Sequence, residues 1–151
     1  MRGVYVAEAK ISALAAAKTL MLVEAAAGKL IEILSAVAVQ VDKAAASQQI
    51  ECEISRVTTL GTPAGTSVTP NPTEPGDQAS TATVLANLTA EPTAYGVNLD
   101  HDGGPSVGGY RYQPQPEERG LDGAGASFGL RLPNVPNSGD FVVQVKYREL
   151  G

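Results

Sequence analysis

Asn98, Asp100 and Asp102 fall at alternate positions in "NLDHDGGPSVGG" and are followed by Gly103. Oxygen-bearing side chains at positions 1, 3 and 5 ahead of a glycine are the first half of a calcium loop, because a hard cation gathers several oxygens around a sharp turn. The second half does not follow. Gly109 stands at the twelfth position, where a bidentate Glu is needed, and no helix is expected on either side. Asp, Asn and Gly are also the ordinary residues of a polar turn. The segment therefore reads as a loop over 101–109, with an incomplete calcium-loop candidate at Asn98, Asp100 and Asp102. No cofactor and no resident metal is expected.

The remaining reactive residues are thinly spread. A hydrolase needs a nucleophile, a base and an orienting group. His101 is the single histidine, and no G-x-S-x-G elbow is present. It reads as a solvated turn residue. No Walker A loop occurs, and "GYRYQPQP" and "DGAGASFG" match no phosphate-binding fingerprint. Glu117 and Glu118 form an acidic pair that nothing positions as a glycosidase pair. Cys52 stands alone, so no internal disulfide can form. It shares a strand face with Ile50 and Ile54, and flanking Glu51 and Glu53 would raise its pKa, the wrong direction for a nucleophile. "NLT" at Asn87 is a glycosylation sequon only in a secretory pathway. The expectation is a protein that is not an enzyme.

"YRYQPQP" carries a different signal. Tyr and Arg combine large apolar area with hydrogen-bonding ends and are enriched at interfaces. Tyr110, Arg111, Tyr112, Gln113 and Arg119 are candidate partner-interface residues. The competing reading packs one tyrosine into the core and uses the other to shield a sheet face.

Composition narrows the class. The formal charge is −5, which argues against a nucleic-acid partner because that needs a basic footprint. The longest apolar region is broken by Lys18, Glu24, Lys29 and Glu32, so no membrane span is expected. No secretory signal is evident, and a soluble, cytoplasmic site of synthesis is expected. With no Trp and two Phe, the core must come from Ala, Val, Leu and Ile. A chain this long can bury roughly 68–70% of its unfolded surface, so residues 1–151 are read as one domain.

Period-two patterning supplies the elements that would position these residues. "IECEISRV", "FGLRL" and "FVVQVKY" alternate strictly, as half-buried strands do. "TATVLANLT" and "AYGVNLD" are weaker candidates. All ten prolines lie at Pro63 or later, in turn-rich clusters. The opening stretch is ambiguous. Residues 7–27 are rich in Ala, Leu, Lys and Glu, as good helices are. Beyond Gly28, however, Ile31, Ile33, Val37, Val39 and Val41 fall on odd positions and read as a strand. Strands joined at "AAAGK" are preferred, with a helix over 7–27 as the alternative. The fold class expected is all-β: one antiparallel, jelly-roll-like sandwich of about eight strands. Long Pro/Gly-rich loops are expected over about 61–78, 101–109 and 113–126.

The order of these segments resembles that of small virion structural proteins of tailed bacteriophages, of the jelly-roll capsid cement (decoration) type. The likeness lies in an alternating N-terminal strand leading into "TLMLVEAAAGKLIEILSAVAVQVD". It continues through "IECEISRVTTLGTPAGTSVTPNPTEPGDQASTATVLANLTAEPTA" and "YRYQPQPEERGLDGAGASFGLRL" to the closing "DFVVQVKYREL". The resemblance implies a capsid cement protein on the virion surface, assembled in the host cytoplasm and bound to the major capsid protein or another virion protein. It also implies a homo-oligomer, a trimer as the first expectation. It carries over no catalytic or ligand residue. A neck, tail or baseplate component is the alternative, and a glycan- or ligand-binding sandwich module is the second. Contacts are expected on the 61–78 loop, on Tyr110–Arg119 and on the N-terminal edge strand.

Overall fold

Along the last segment of the chain, Phe141, Val143, Val145 and Tyr147 are buried while Val142, Gln144 and Lys146 are half-buried. Alternation of this kind places one face of a strand on a core and the other toward solvent. The computed structural model describes residues 3–42, 46–119, 121–122 and 127–151, and almost all of its regular structure is extended. The strands are β1 (Gly3–Leu14), β2 (Lys18–Glu24), β3 (Leu30–Gln40), β4 (Gln49–Thr59), β5 (Ala64–Ser67) and β6 (Asn71–Pro72). After them come β7 (Thr83–Ala90), β8 (Ala94–Pro105), β9 (Tyr110–Tyr112), β10 (Leu121–Asp122), β11 (Ser127–Leu132) and β12 (Gly139–Leu150). A 3-10 turn spans Pro116–Glu118.

The strands form two antiparallel sheets. One runs β10–β3–β12–β1–β6, with β9 also on β3, and the other runs β5–β7–β2–β11–β4–β8. Four pairings define the frame: β1 with β12, β2 with β11, β3 with β9 and β4 with β8. Within these pairs the sheets are β1–β12–β3–β9 and β2–β11–β4–β8, which is the eight-stranded jelly roll. The remaining strands are additions. β5 and β7 extend the second sheet beyond β2, β6 lies on β1, and β10 lies on β3.

Residues 7–27 therefore hold the end of β1, all of β2 and their connections, and the helical alternative falls. Ala7, Ile11 and Leu14 of β1 are buried, as are Leu20 to Val23 of β2. The turn at "AAAGK" is present, with Gly28 at φ +79, a conformation glycine adopts without a Cβ clash. Ala13 is the irregular point of β1. It sits at φ +50, where the register with β12 shifts between Ile11 and Leu14.

The expected strand count was about eight, and the described residues form twelve. β5 and β6 lie inside the expected 61–78 loop, and β10 lies inside the 113–126 loop. The 101–109 loop is likewise corrected, because β8 continues to Pro105. These strands exist because their backbones find partners, and their sequences ("AGTS", "NP", "HDGGP") hold no apolar alternation. Residues 43–45 of the connection after β3, and 120 and 123–126 of the 113–126 loop, lie outside the described residues.

One core cluster draws on both sheets. Its largest fully buried side chains include Tyr147, Phe141, Leu20, Met21, Ile31 and Ile33. Tyr5 and Tyr147 pack ring to ring at 5.7 Å between centroids. Cys52 is buried as its alternation required, and burial, reinforced by Glu51 and Glu53, pushes its thiol up to about 12.

Candidate functional site

Where the two sheets meet beside β8 and β9, several of the sequence candidates come together. β4 places Asp100 opposite Ile54 and Asp102 opposite Cys52, and β3 places Arg111 opposite Val37. Between them opens a cleft of about 500 Å³, lined by Asp100, Asp102, Arg111, Tyr112, Gln113 and Glu118 together with Leu99 and Pro114. Pockets that hold small ligands fall in this size range. Its wall carries three carboxylates facing one guanidinium.

The two tyrosines differ from the surface role proposed for them. Tyr110 is 5% exposed and Tyr112 7% exposed, so both rings belong to the core. Arg111 between them is exposed, as is Gln113. The Tyr110 hydroxyl donates to Asp100 Oδ2 at 2.6 Å. Burial drives the Tyr110 pKa far above its ordinary value, and the hydrogen bond and charge of Asp100 drive it the same way. Tyr112 is also raised, by burial first and then by Asp100 and Glu118. Both hydroxyls are thus neutral at physiological pH.

Arg119 lies apart from the cleft lining. Its guanidinium is 3.8 Å from Glu32, which also accepts from Arg148 Nη1 at 3.0 Å.

The calcium-loop candidate does not assemble. Asn98, Asp100 and Asp102 lie on an extended strand, where alternate residues are about 6.6–6.8 Å apart. A calcium ion needs its oxygens within about 2.6 Å of one point. The side chains are engaged separately. Asn98 Nδ2 donates to Glu53 at 2.6 Å, Asn98 Oδ1 accepts from Ser55 at 2.6 Å, and Asp102 accepts from the Gly103 amide at 2.7 Å. Among the described residues no group of three His, Cys, Asp or Glu side chains is placed to hold a metal.

A second cleft, of about 580 Å³, opens on the other flank of β8 beside Glu51, His101, Asn134 and the Gly103–Gly104 backbone. Glu51 bridges the two side chains, with His101 Nε2 on one carboxylate oxygen and Asn134 Nδ2 on the other. His101 is a strand residue opposite Glu53, and not a turn residue as expected.

Several polar groups that matter were not singled out by the sequence. Glu149 is buried and accepts from Ser80 Oγ at 2.5 Å, Thr81 N at 2.9 Å, Thr81 Oγ1 at 3.1 Å and Ala82 N at 2.9 Å. On the outer face of the second sheet, Glu53 pairs with Arg131 at 3.1 Å, and Arg131 stacks 3.8 Å above the Tyr95 ring. Tyr95 joins Thr19 and Glu91, and Glu91 accepts from Thr19 N at 2.8 Å. A signal for Glu149 was present: it continues the inward series of Phe141, Val143, Val145 and Tyr147. A carboxylate at a core position demands hydrogen-bond partners.

The fold and the clefts define an antiparallel jelly-roll sandwich with polar recesses on both flanks of its edge strand β8. Compared with protein-family models, with curated proteins and with solved structures, the chain matches none.

Proposed function

We propose that the protein is a non-enzymatic structural component of a tailed-phage virion, a decoration protein that binds the outer capsid shell and stiffens it. The observation that supports this reading best is the eight-strand jelly-roll frame, an architecture used repeatedly by capsid and lectin domains. Fold alone does not fix function, so the reading also rests on how the polar groups are used. Glu149, Glu53, Glu91 and Glu32 each tie strands or loops of the chain to one another. Side chains committed in this way make a stiff scaffold. Many weak contacts then suffice on a shell, because each site is repeated and avidity multiplies them.

The test is the heat stability of shells prepared with and without the protein, followed by calorimetry. A raised shell transition in its presence is expected, and an unchanged transition defeats the proposal. Copy number separates this from the neck or tail alternative: hundreds per particle place the protein on the shell, a dozen or fewer on the tail axis.

The cleft beside β9 favours a second reading, a ligand- or glycan-binding module. Asp100, Asp102, Gln113 and Glu118 could accept sugar hydroxyls, and Arg111 could donate. A glycan array tests it, and an array without hits removes it.

A further inference from the structure

The jelly roll leaves two long strands with an open edge, β1 on one sheet and β8 on the other. An open edge presents unpaired N–H and C=O groups to any chain that can pair with them. β8 is poorly suited to this. Its register against β4 breaks at three places, Gly103 and Gly104 lie in it, and Asp100 and Asp102 would face the same charges on a second copy. β1 is different. From Gly3 to Ile11 it pairs with β12 without a break, so its other edge is straight.

Which groups of β1 face outward follows from β6. The Val4 carbonyl accepts from Thr73 N at 2.8 Å, on the side away from β12. Backbone direction alternates along a strand, so Val4, Val6, Glu8 and Lys10 point N–H and C=O toward the open edge. β6 covers that edge only at Tyr5 and Val6. Among the described residues no strand pairs with it at Glu8 or Lys10. The side chains of both residues are exposed.

We propose that β1 is a self-association strand: two copies of the chain pair their β1 edges antiparallel about a two-fold axis through Ala9, with Glu8 of each opposite Lys10 of the other. Hydrogen bonding restricts the choice of register, because only even-numbered residues have groups to offer. Centring the pair on Glu8 sets Glu8 against Glu8, and centring it on Lys10 sets Lys10 against Lys10. Centring it on Ala9 sets Glu8 against Lys10 twice and lets each such pair exchange two backbone hydrogen bonds. Opposite charges directly across a ladder stabilise it and like charges destabilise it, each by about 0.2–1 kcal/mol. The ladder has a natural end. With the axis at Ala9, Ser12 of the second copy falls opposite Val6, which β6 already covers, so pairing is confined to the Glu8–Lys10 segment and the second copy leaves the edge after Ile11, where β1 also leaves its register with β12. In the single chain Glu8 holds Gln144 and Lys10 holds Asp140, both on the neighbouring β12, which keeps the two charges on the same exposed face. The inference stands whether or not the chain belongs to a virion. It calls for a two-fold dimer and not the trimer implied by the resemblance.

Sedimentation equilibrium on the whole chain tests it. The wild-type chain should be a concentration-dependent dimer. Lys10→Glu and Glu8→Lys should each weaken dimerisation about tenfold or more, since two attractive pairs become repulsive. Mixed together, these two variants should form a one-to-one heterodimer, because all four facing charges are then opposite. The double variant Glu8→Lys/Lys10→Glu should recover the homodimer. Glu8→Pro should abolish pairing whatever the charges, by removing an outward N–H, and circular dichroism confirms that each variant is folded. A wild-type chain that is monomeric at millimolar concentration, or trimeric, overturns the proposal. So does a Lys10→Glu variant that dimerises as the wild type does, or a mixture that forms no heterodimer.

Discussion

The jelly-roll frame and the segment inserted between β4 and β8 are fastened by different chemistry. In the frame, Phe141, Val143, Leu130, Ile33 and Ile54 meet across the two sheets, and burial of apolar surface supplies the attachment. The inserted segment contains β5, whose residues are mostly exposed, and β6, which is two residues long. It also contains β7, which pairs with β2 and buries Val84 and Ala86 in the core; outside β7 its fastenings are polar and come from the frame. Val4 offers its carbonyl to Thr73, and Tyr5 donates its hydroxyl to the Gln78 carbonyl at 2.9 Å. Glu149 gathers Ser80, Thr81 and Ala82, and Glu91 closes the far end on Thr19. Apolar contacts add up over many atoms and tolerate small shifts. Polar fastenings depend on single acceptors, so each is a place where the insertion can be released without dissolving the core.

The largest expected effect comes from the frame. Phe141→Ala removes a fully buried ring near the start of β12 and should cost about 3–5 kcal/mol in denaturant unfolding. Both regions should unfold together. If the insertion lost its structure while the β12 amides stayed protected, the two regions would be joined more loosely than the contacts indicate.

Glu149→Ala should cost less, about 1–3 kcal/mol, and its effect should be local. The amides of Thr81 and Ala82 lose their acceptor and should exchange hydrogen faster. Those of Val143 and Val145, in the middle of the ladders with β1 and β3, should stay slow. Uniform loss of protection along β12 would show that the carboxylate supports the frame as much as the strap above it.

This division also explains what could be read from the sequence. The frame strands announce themselves through period-two patterns, and "FVVQVKY", "FGLRL" and "IECEISRV" are β12, β11 and β4. Cys52 was legible for the same reason. The opening stretch was legible only in part, because its alanines suit a helix, and pairing with β12 and β11 decides the matter. β5, β6 and β10 left no pattern, since a strand held by backbone bonds at the rim needs no apolar side. β8 was half legible: "AYGVNLD" alternates weakly, while the glycines and aspartates after it read as a turn. That misreading created the calcium loop. The cleft beside β9 could not be seen at all, because its walls come from β8 and β9 through the separate ladders to β4 and β3.

Tyr110 spans both kinds of attachment, with its ring in the core and its hydroxyl on Asp100. Tyr110→Phe keeps the ring and removes the donor, and Asp100 is half-exposed and can be rehydrated. A loss of about 1 kcal/mol is expected, smaller than for Glu149→Ala. The raised pKa values extend the test to alkaline pH. All five tyrosines of the chain (Tyr5, Tyr95, Tyr110, Tyr112 and Tyr147) are pushed above 10.0, each by burial first. A raised folded pKa stabilises the fold below the ordinary value and stops doing so as pH climbs through the folded one. Tyrosinate absorbance should therefore appear together with alkaline unfolding. A tyrosine that ionises near pH 10.0 in the folded protein would contradict the burial assigned to it.

Asp140 is where the frame itself uses a fastening of the insertion's kind, and the smallest effect is expected there. Its Oδ1 accepts from the Ala13 amide at 2.9 Å and its Oδ2 pairs with Lys10 at 3.0 Å, so it braces β1 at the one residue with left-handed backbone. The Ala13 amide, more than Lys10, holds the carboxyl below its ordinary 3.8. A depressed folded pKa gives stability that is present above the ordinary value and is lost as pH falls through the folded one. Asp140→Asn should therefore lower the melting temperature slightly at neutral pH, and the gap to wild type should close once pH drops well below 3.8. The closing gap is the informative part, because a protonated Asp140 and an asparagine are nearly the same neutral group. If the gap persisted in acid, the brace would depend on side-chain shape and packing, and Asp140 would belong with the apolar attachments of the frame.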